Sequence, residues 1–156
     1  MTTDTKAIGY SHTQKAPLCL LVYTLAIVFL GLGWMIRDAP PIQWLFPPIG
    51  LLMLVVAASF HHLSVVDRGD VLAIRFGPIP LFRKTVPYAD IVKVEVGRTL
   101  LLDGWGIHRS IRGGWVWNIW GYDCVLIRLN RGTLRIGTDD PHGLATFLHS
   151  RIDRHA

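Results

Sequence analysis

The amino-acid sequence predicts a membrane α-helical hairpin followed by an all-β/α+β body, a small barrel or sandwich of six or seven antiparallel strands and one C-terminal helix. Three observations lead there. No charged residue occurs from Ala16 to Ile36, nor from Ala39 to His62. After His62, apolar and polar residues alternate as half-buried strands require. Near the end, Leu144, Phe147, Leu148 and Ile152 recur at helical spacing on one stripe.

Residues 1–15 read as a cytoplasmic tail carrying Lys6 and Lys15, and residues 16–61 as a two-helix transmembrane hairpin. Its first span, 16–36, is long enough at ~1.5 Å per residue to cross a hydrocarbon core of ~30 Å. It exceeds the ~7–15 residues of a signal-peptide core, and no small-residue cleavage site follows it. The second span, 42–60, opens less uniformly, with Gln43 and the Pro47-Pro48 pair. Trp34 and Trp44 flank the short connector and suit interfacial anchors, where an amphipathic ring meets headgroups. Arg37 alone marks the connector, whereas Lys6, Lys15, Arg68 and Arg75 lie outside the spans. By the positive-inside tendency both termini face the cytoplasm, at a bacterial inner membrane.

The remainder, 62–156, holds 13 Lys/Arg against 9 Asp/Glu, an excess that an anionic leaflet would attract. Acidic and basic residues are interspersed, without the like-charge blocks of a nucleic-acid tail. Cys19 and Cys124 stand far apart and form no C-x-x-C, which argues against a disulfide framework or zinc ribbon.

Strands are expected at 63–66 and 71–76 around an Asp/Gly-rich turn, then at 81–86 after the breaker Gly77–Pro80. Residues 87–91 form a corner. Along 91–100, Val92, Val94 and Val96 share one face and Lys93, Glu95 and Gly97 the other. Residues 122–129 and 133–138 form a hairpin through Asn130-Arg131-Gly132. Asp139 and Asp140 supply capping carboxylates and Pro141 a first-turn proline for the C-terminal helix, 141–152.

The stretch from Gly104 to Leu129 holds four of the six tryptophans. A third span is excluded, because Arg109 and Arg112 would sit at its middle at ~2.5–3.5 kcal/mol each. It reads instead as an edge at 104–107, a loop at 109–114 and a strand at 115–120. Trp115, Trp117 and Ile119 fall on one side, Val116, Asn118 and Trp120 on the other.

Gly104-Trp105-Gly106-Ile107, Gly114-Trp115, Asn118, Gly121 and the run Arg135–Pro141 resemble bacterial pleckstrin-homology-like domains of small membrane proteins. The resemblance covers about residues 62–152. It implies a curved antiparallel barrel of about seven strands capped by the C-terminal helix, behind a two-helix membrane hairpin. Members of the wider family that hold phosphoinositides use basic residues alternating along the second strand of the first hairpin. Here Arg83 and Lys84 are adjacent, a departure from that pattern that leaves only generic anionic-headgroup contact.

Catalytic and metal readings have little support in the residues. His61-His62 with Asp67 or Asp70 lacks the spacing of a metal site, because adjacent strand residues face opposite ways. Cys124 with a histidine is the thiol–imidazole candidate, but a small buried hydrophobe is the commoner role. His108, His142 and His149 read as scattered and exposed. The expectation is therefore a membrane-anchored, non-enzymatic pleckstrin-homology-like module acting in recruitment or assembly at the cytoplasmic face, with no cofactor and no metal. Arg109, Arg112, Trp115, Trp117 and Trp120 are its candidate lipid or partner contacts. Its partners would be membrane lipids and a protein or second copy, with no nucleic acid. The alternative is a small membrane enzyme or nucleic-acid-binding protein using the Trp/Arg surface.

Overall fold

In the computed structural model, residues 9–36, 38, 40–100 and 103–153 are described. Lys6 and Arg37, which carry part of the orientation argument, lie outside them. The elements run β1 (Ser11–Lys15), α1 (Leu18–Met35), α2 (Pro40–Gln43), α3 (Phe46–Ser59), β2 (His62–Asp67), β3 (Val71–Gly77) and β4 (Arg83–Pro87). A 3-10 turn (Tyr88–Asp90) leads to β5 (Ile91–Arg98), β6 (Gly106–Arg109), β7 (Trp115–Asn118), β8 (Asp123–Leu129), β9 (Thr133–Gly137) and α4 (Pro141–Ile152).

Three expectations need correction. First, among the described residues no helix is long and apolar enough to cross a membrane. The 18 residues of α1 rise ~27 Å and the 14 of α3 ~21 Å, against a hydrocarbon core of ~30 Å. The second apolar run is also broken. Pro47 and Pro48 occupy the first turn of α3, where their missing N–H groups cost nothing, and the residues before them form the separate turn α2. The transmembrane spans 16–36 and 42–60, and with them the multi-pass inner-membrane location with both termini cytoplasmic, are overturned. What forms is a short antiparallel pair packed through small residues. A Cβ on Gly50 would meet Leu30 Cγ at 2.7 Å, and one on Gly33 would meet Pro47 Cδ at 3.1 Å. Trp34 and Trp44 stand near the far end of this pair, 76% and 73% exposed.

Second, the strands do not close into one curved barrel of about seven. They form two open sheets, β1-β2-β3-β4 and β5-β8-β9-β7-β6. All pairings are antiparallel except β7 with β9, which is parallel and sets Trp115 opposite Leu134 and Trp117 opposite Ile136. The shared core includes Leu63, Ile74 and Phe76 from the first sheet and Val125, Ile127 and Ile136 from the second. Helix α4 adds Leu144 and Leu148 and lies against β5, β8 and the 3-10 turn.

Third, part of the presumed tail is a strand. β1 pairs with β2 from Ser11↔Val66 to Lys15↔His62. The Thr13 and Ser64 hydroxyls meet at 2.9 Å, and the Tyr10 hydroxyl donates to Asp140 at 3.2 Å. Within β5 a register shift between Ile91 and Lys93 turns Val92 outward. Val94 is buried while Val92 and Val96 are exposed, so the three valines do not share one buried face. On the outer face Glu95 pairs with Lys93 at 2.7 Å and Arg128 at 3.7 Å.

The first sheet and α4 are tied by a buried ion pair between Asp67 at the end of β2 and Arg151 of α4. Asp67 also accepts the Tyr88 hydroxyl at 2.8 Å and the Gly69 amide at 2.9 Å. Burial alone would raise its carboxyl, but these bonds and the Arg151 guanidinium outweigh it and hold the group below the ordinary carboxylate range.

Candidate functional site

The β6–β7 hairpin is built by glycine. Gly113 and Gly114 adopt φ of +79° and +83°, which side chains rarely tolerate. A Cβ on Gly114 would lie 2.5 Å from the Thr133 carbonyl oxygen, so glycine lets the start of β7 lie against β9. Ser110 donates its amide to Gly114 (3.0 Å) and accepts that of Gly113 (2.9 Å), and the Arg135 guanidinium donates to the Gly113 carbonyl at 2.6 Å. This fixes Arg109 opposite Trp115 across the hairpin.

At this corner lies a cleft of about 280 Å3. Lys84 of β4, Arg109 of β6, Trp115 of β7 and Arg131 of the β8–β9 turn line it, with Thr133, Leu129 and backbone completing the wall. Among the described residues no carboxylate lines it. Among the described residues none of the three cations has a carboxylate in salt-bridge range. Cations gathered in a concavity with low-dielectric walls concentrate positive potential. The location matters too: β4 is an edge of the first sheet and β6 an edge of the second, so both present unpaired backbone groups.

The five residues singled out from sequence do not form one rim. Arg109 and Trp115, the latter 50% exposed, enter the cleft. Arg112 sits at the exposed turn, its amide bound to Ser110 Oγ at 3.1 Å, and does not line the cleft. Trp117 is a core residue, 8% exposed, its ring 5.7 Å from that of Phe76. Trp120 lies beyond the other end of β7, stacked on Trp105 at 4.5 Å, with its carbonyl accepting from Gln14 at 3.1 Å. Strand alternation had put Trp115 and Trp117 on one side. In the structure one is exposed and the other buried. Arg131 was read only as part of a turn and Lys84 only as part of the first hairpin. The non-local β7–β9 pairing that carries the β8–β9 turn beside Trp115 leaves no local sequence signal.

Cys124, Asp139 and Asp140 hold structural positions. Burial pushes the Cys124 thiol up to about 11, which leaves little thiolate near neutral pH. Asp140 caps α4 by accepting the Gly143 amide at 3.0 Å, while Asp139 pairs with His12. His108 is partly buried rather than exposed, and its Nε2 lacks a hydrogen-bond partner among the described residues. Among the described residues no group of three or more His, Cys, Asp and Glu side chains is placed to hold a metal ion. In comparison with known proteins, the chain matches no family model and no curated protein.

Proposed function

We propose that this chain is a non-enzymatic interaction module, acting in recruitment or assembly, that captures an extended acidic segment of a partner protein at the Lys84–Arg109–Arg131 cleft. The supporting observation is the convergence of three cations and Trp115 on one cleft, two of them from β4 and β6, the outermost strands of their sheets. An extended segment adds to such an edge through main-chain hydrogen bonds, which are sequence-neutral, and its alternate side chains supply specificity. Acidic side chains on that segment meet Lys84, Arg109 and Arg131, and Trp115 offers a flat amphipathic surface beside them.

The test uses a fluorescein-labelled extended peptide with glutamate at alternate positions, titrated with the full chain by anisotropy. Saturable binding that weakens with salt is expected, with a loss of roughly tenfold or more for Arg109→Glu combined with Arg131→Glu. Arg112→Glu, outside the cleft, changes affinity less than threefold on the same reasoning. Equal losses for Arg112→Glu and the cleft variant would sink the proposal. Binding to anionic vesicles without any peptide binding would replace it with a lipid-headgroup reading.

A further inference from the structure

A second cavity, of about 210 Å3, lies where the foot of the helical pair meets the tryptophan-rich segment. Cys19 and Val22 of α1, Val56 and Phe60 from the end of α3, and Trp105 and Ile119 of the β body line it. Among the described residues the wall is hydrocarbon, aromatic ring and one thiol, with no charged side chain. Trp105 is held by its stack on Trp120. Cys19 is buried from bulk solvent yet forms part of this wall. Its Sγ donates to the Ala16 carbonyl at 3.1 Å and lies 3.5 Å from Nδ1 of His61, at the junction of α3 and β2.

The geometry points to Cys19 as a site of S-acylation, with His61 as proton acceptor and the apolar cavity as the seat of the acyl chain, and with a long-chain acyl thioester as donor. Three independent features converge on it: a nucleophile, a base within reach of it, and a void whose lining matches a hydrocarbon chain. Apolar surface adjoins the cavity wall on α3. Val56 belongs to its wall and is partly exposed, and Leu52, one turn earlier on the same side of α3, is 63% exposed. A chain longer than the cavity continues along that track.

The step balances without an oxidant, with the acyl thioester as its one co-reactant. His61 takes the Cys19 proton as sulfur attacks the donor's carbonyl carbon and a new C–S bond forms. The tetrahedral intermediate collapses by breaking the donor's own C–S bond. The departing thiolate takes a proton from the imidazolium and leaves as a free thiol. Cys19 keeps the acyl group as a thioester.

The experiment incubates the full chain with palmitoyl-CoA and follows intact mass. Uptake of one hydroxylamine-labile palmitoyl group is expected, absent in Cys19→Ala and unchanged in Cys124→Ala. His61→Ala slows uptake roughly 100-fold at neutral pH, the scale of one general base. His61→Ala keeps the wild-type midpoint in urea melts, so the deficit is not misfolding. Val22→Trp, which fills the void, slows palmitoyl transfer tenfold or more while labelling of Cys19 by the small reagent iodoacetamide continues. Acylation on Cys124, equal rates for wild type and both variants, or a Cys19 that reacts with iodoacetamide but takes no palmitoyl group would each overturn the assignment.

Discussion

The helical pair and the β body solve the same problem, burying apolar side chains, with opposite means. α1 and α3 meet through small residues: Ala26 and Ala57 are fully buried, and Gly50 brings the backbones close. Their outward faces leave Leu20, Ile27 and Leu52 more than 60% exposed. The β body instead buries one side of each sheet and ties its parts with polar pairs such as Asp67–Arg151. A helix that is apolar all round carries no information about which face packs, whereas alternation along a strand states it residue by residue. The lesson is that uniform hydrophobicity announces burial without announcing against what.

The comparison breaks first at the joint. Phe76 is fully buried in β3, with its ring 4.9 Å from Phe60 of the hairpin's foot and 5.7 Å from Trp117 of the second sheet. Phe76→Ala is expected to cost about 3–5 kcal/mol, the range for truncating a large buried aromatic. Chemical denaturation followed by tryptophan fluorescence reads this directly. A loss below about 1 kcal/mol would mean that hairpin and body do not share a core.

Within the β body alone, Asp67→Asn leaves Arg151 buried without its carboxylate and is expected to cost about 3 kcal/mol at neutral pH. The same substitution reports on acid. The folded Asp67 carboxyl lies below its unfolded value, so the folded state binds fewer protons. Its contribution is complete above the ordinary carboxyl range and is lost as pH falls through the folded value. Thermal melts of the wild type from pH 7 downward should therefore steepen below about pH 4, and Asp67→Asn should flatten that part of the slope. An identical acid slope in both proteins would show that other carboxyls dominate.

Only the hairpin should respond to Gly50→Ala. The added Cβ meets Leu30 Cγ at 2.7 Å and the Ala26 carbonyl oxygen at 3.1 Å, an overpacking of about 1–3 kcal/mol. Adding Leu30→Ala removes the side-chain clash and should return part of the loss, while the amides of β8 and β9 keep their hydrogen-exchange protection in both variants. Loss of that protection would unite the two regions into one cooperative unit.

These contrasts also explain what the sequence discloses. In β8 Val125 and Ile127 are buried and Arg128 is exposed as the alternation predicts, although Cys124 on the opposite face is buried as well. The apolar runs reveal helices but overstate their length, because the broken start at Pro47 and Pro48 matters more than the hydropathy around it. β1 escaped notice because its sequence, Ser11–Lys15, is polar and gains strand structure only by pairing with β2. At the cleft, Arg109 and Trp115 are legible through their local hairpin. Lys84 arrives from β4 and Arg131 from the β8–β9 turn, brought together by tertiary packing that no local pattern encodes. The Cys19–His61 pair is likewise a product of chain reversal, joining residues 42 positions apart.

The smallest effect tests the most local signal. Asp140 precedes Pro141, and its side chain accepts the Gly143 amide at 3.0 Å, one of the donors that a helix start leaves unsatisfied. Asp140→Ala should cost about 1 kcal/mol by loss of the cap. Asp140 also receives the Tyr10 hydroxyl at 3.2 Å, so the same change loosens the residue leading into β1. Tyr10→Phe removes that second bond while keeping the cap and the ring stack on Phe147 at 5.3 Å. If the cap is the main contribution, Tyr10→Phe loses less than half of what Asp140→Ala loses in urea melts, and Asp140→Ser, itself a good cap, recovers most of it. Should Tyr10→Phe account for the whole effect, α4 is held at its start by β1 rather than by its own first turn. The polar strand that the sequence concealed would then fix the helix that the sequence displayed most clearly.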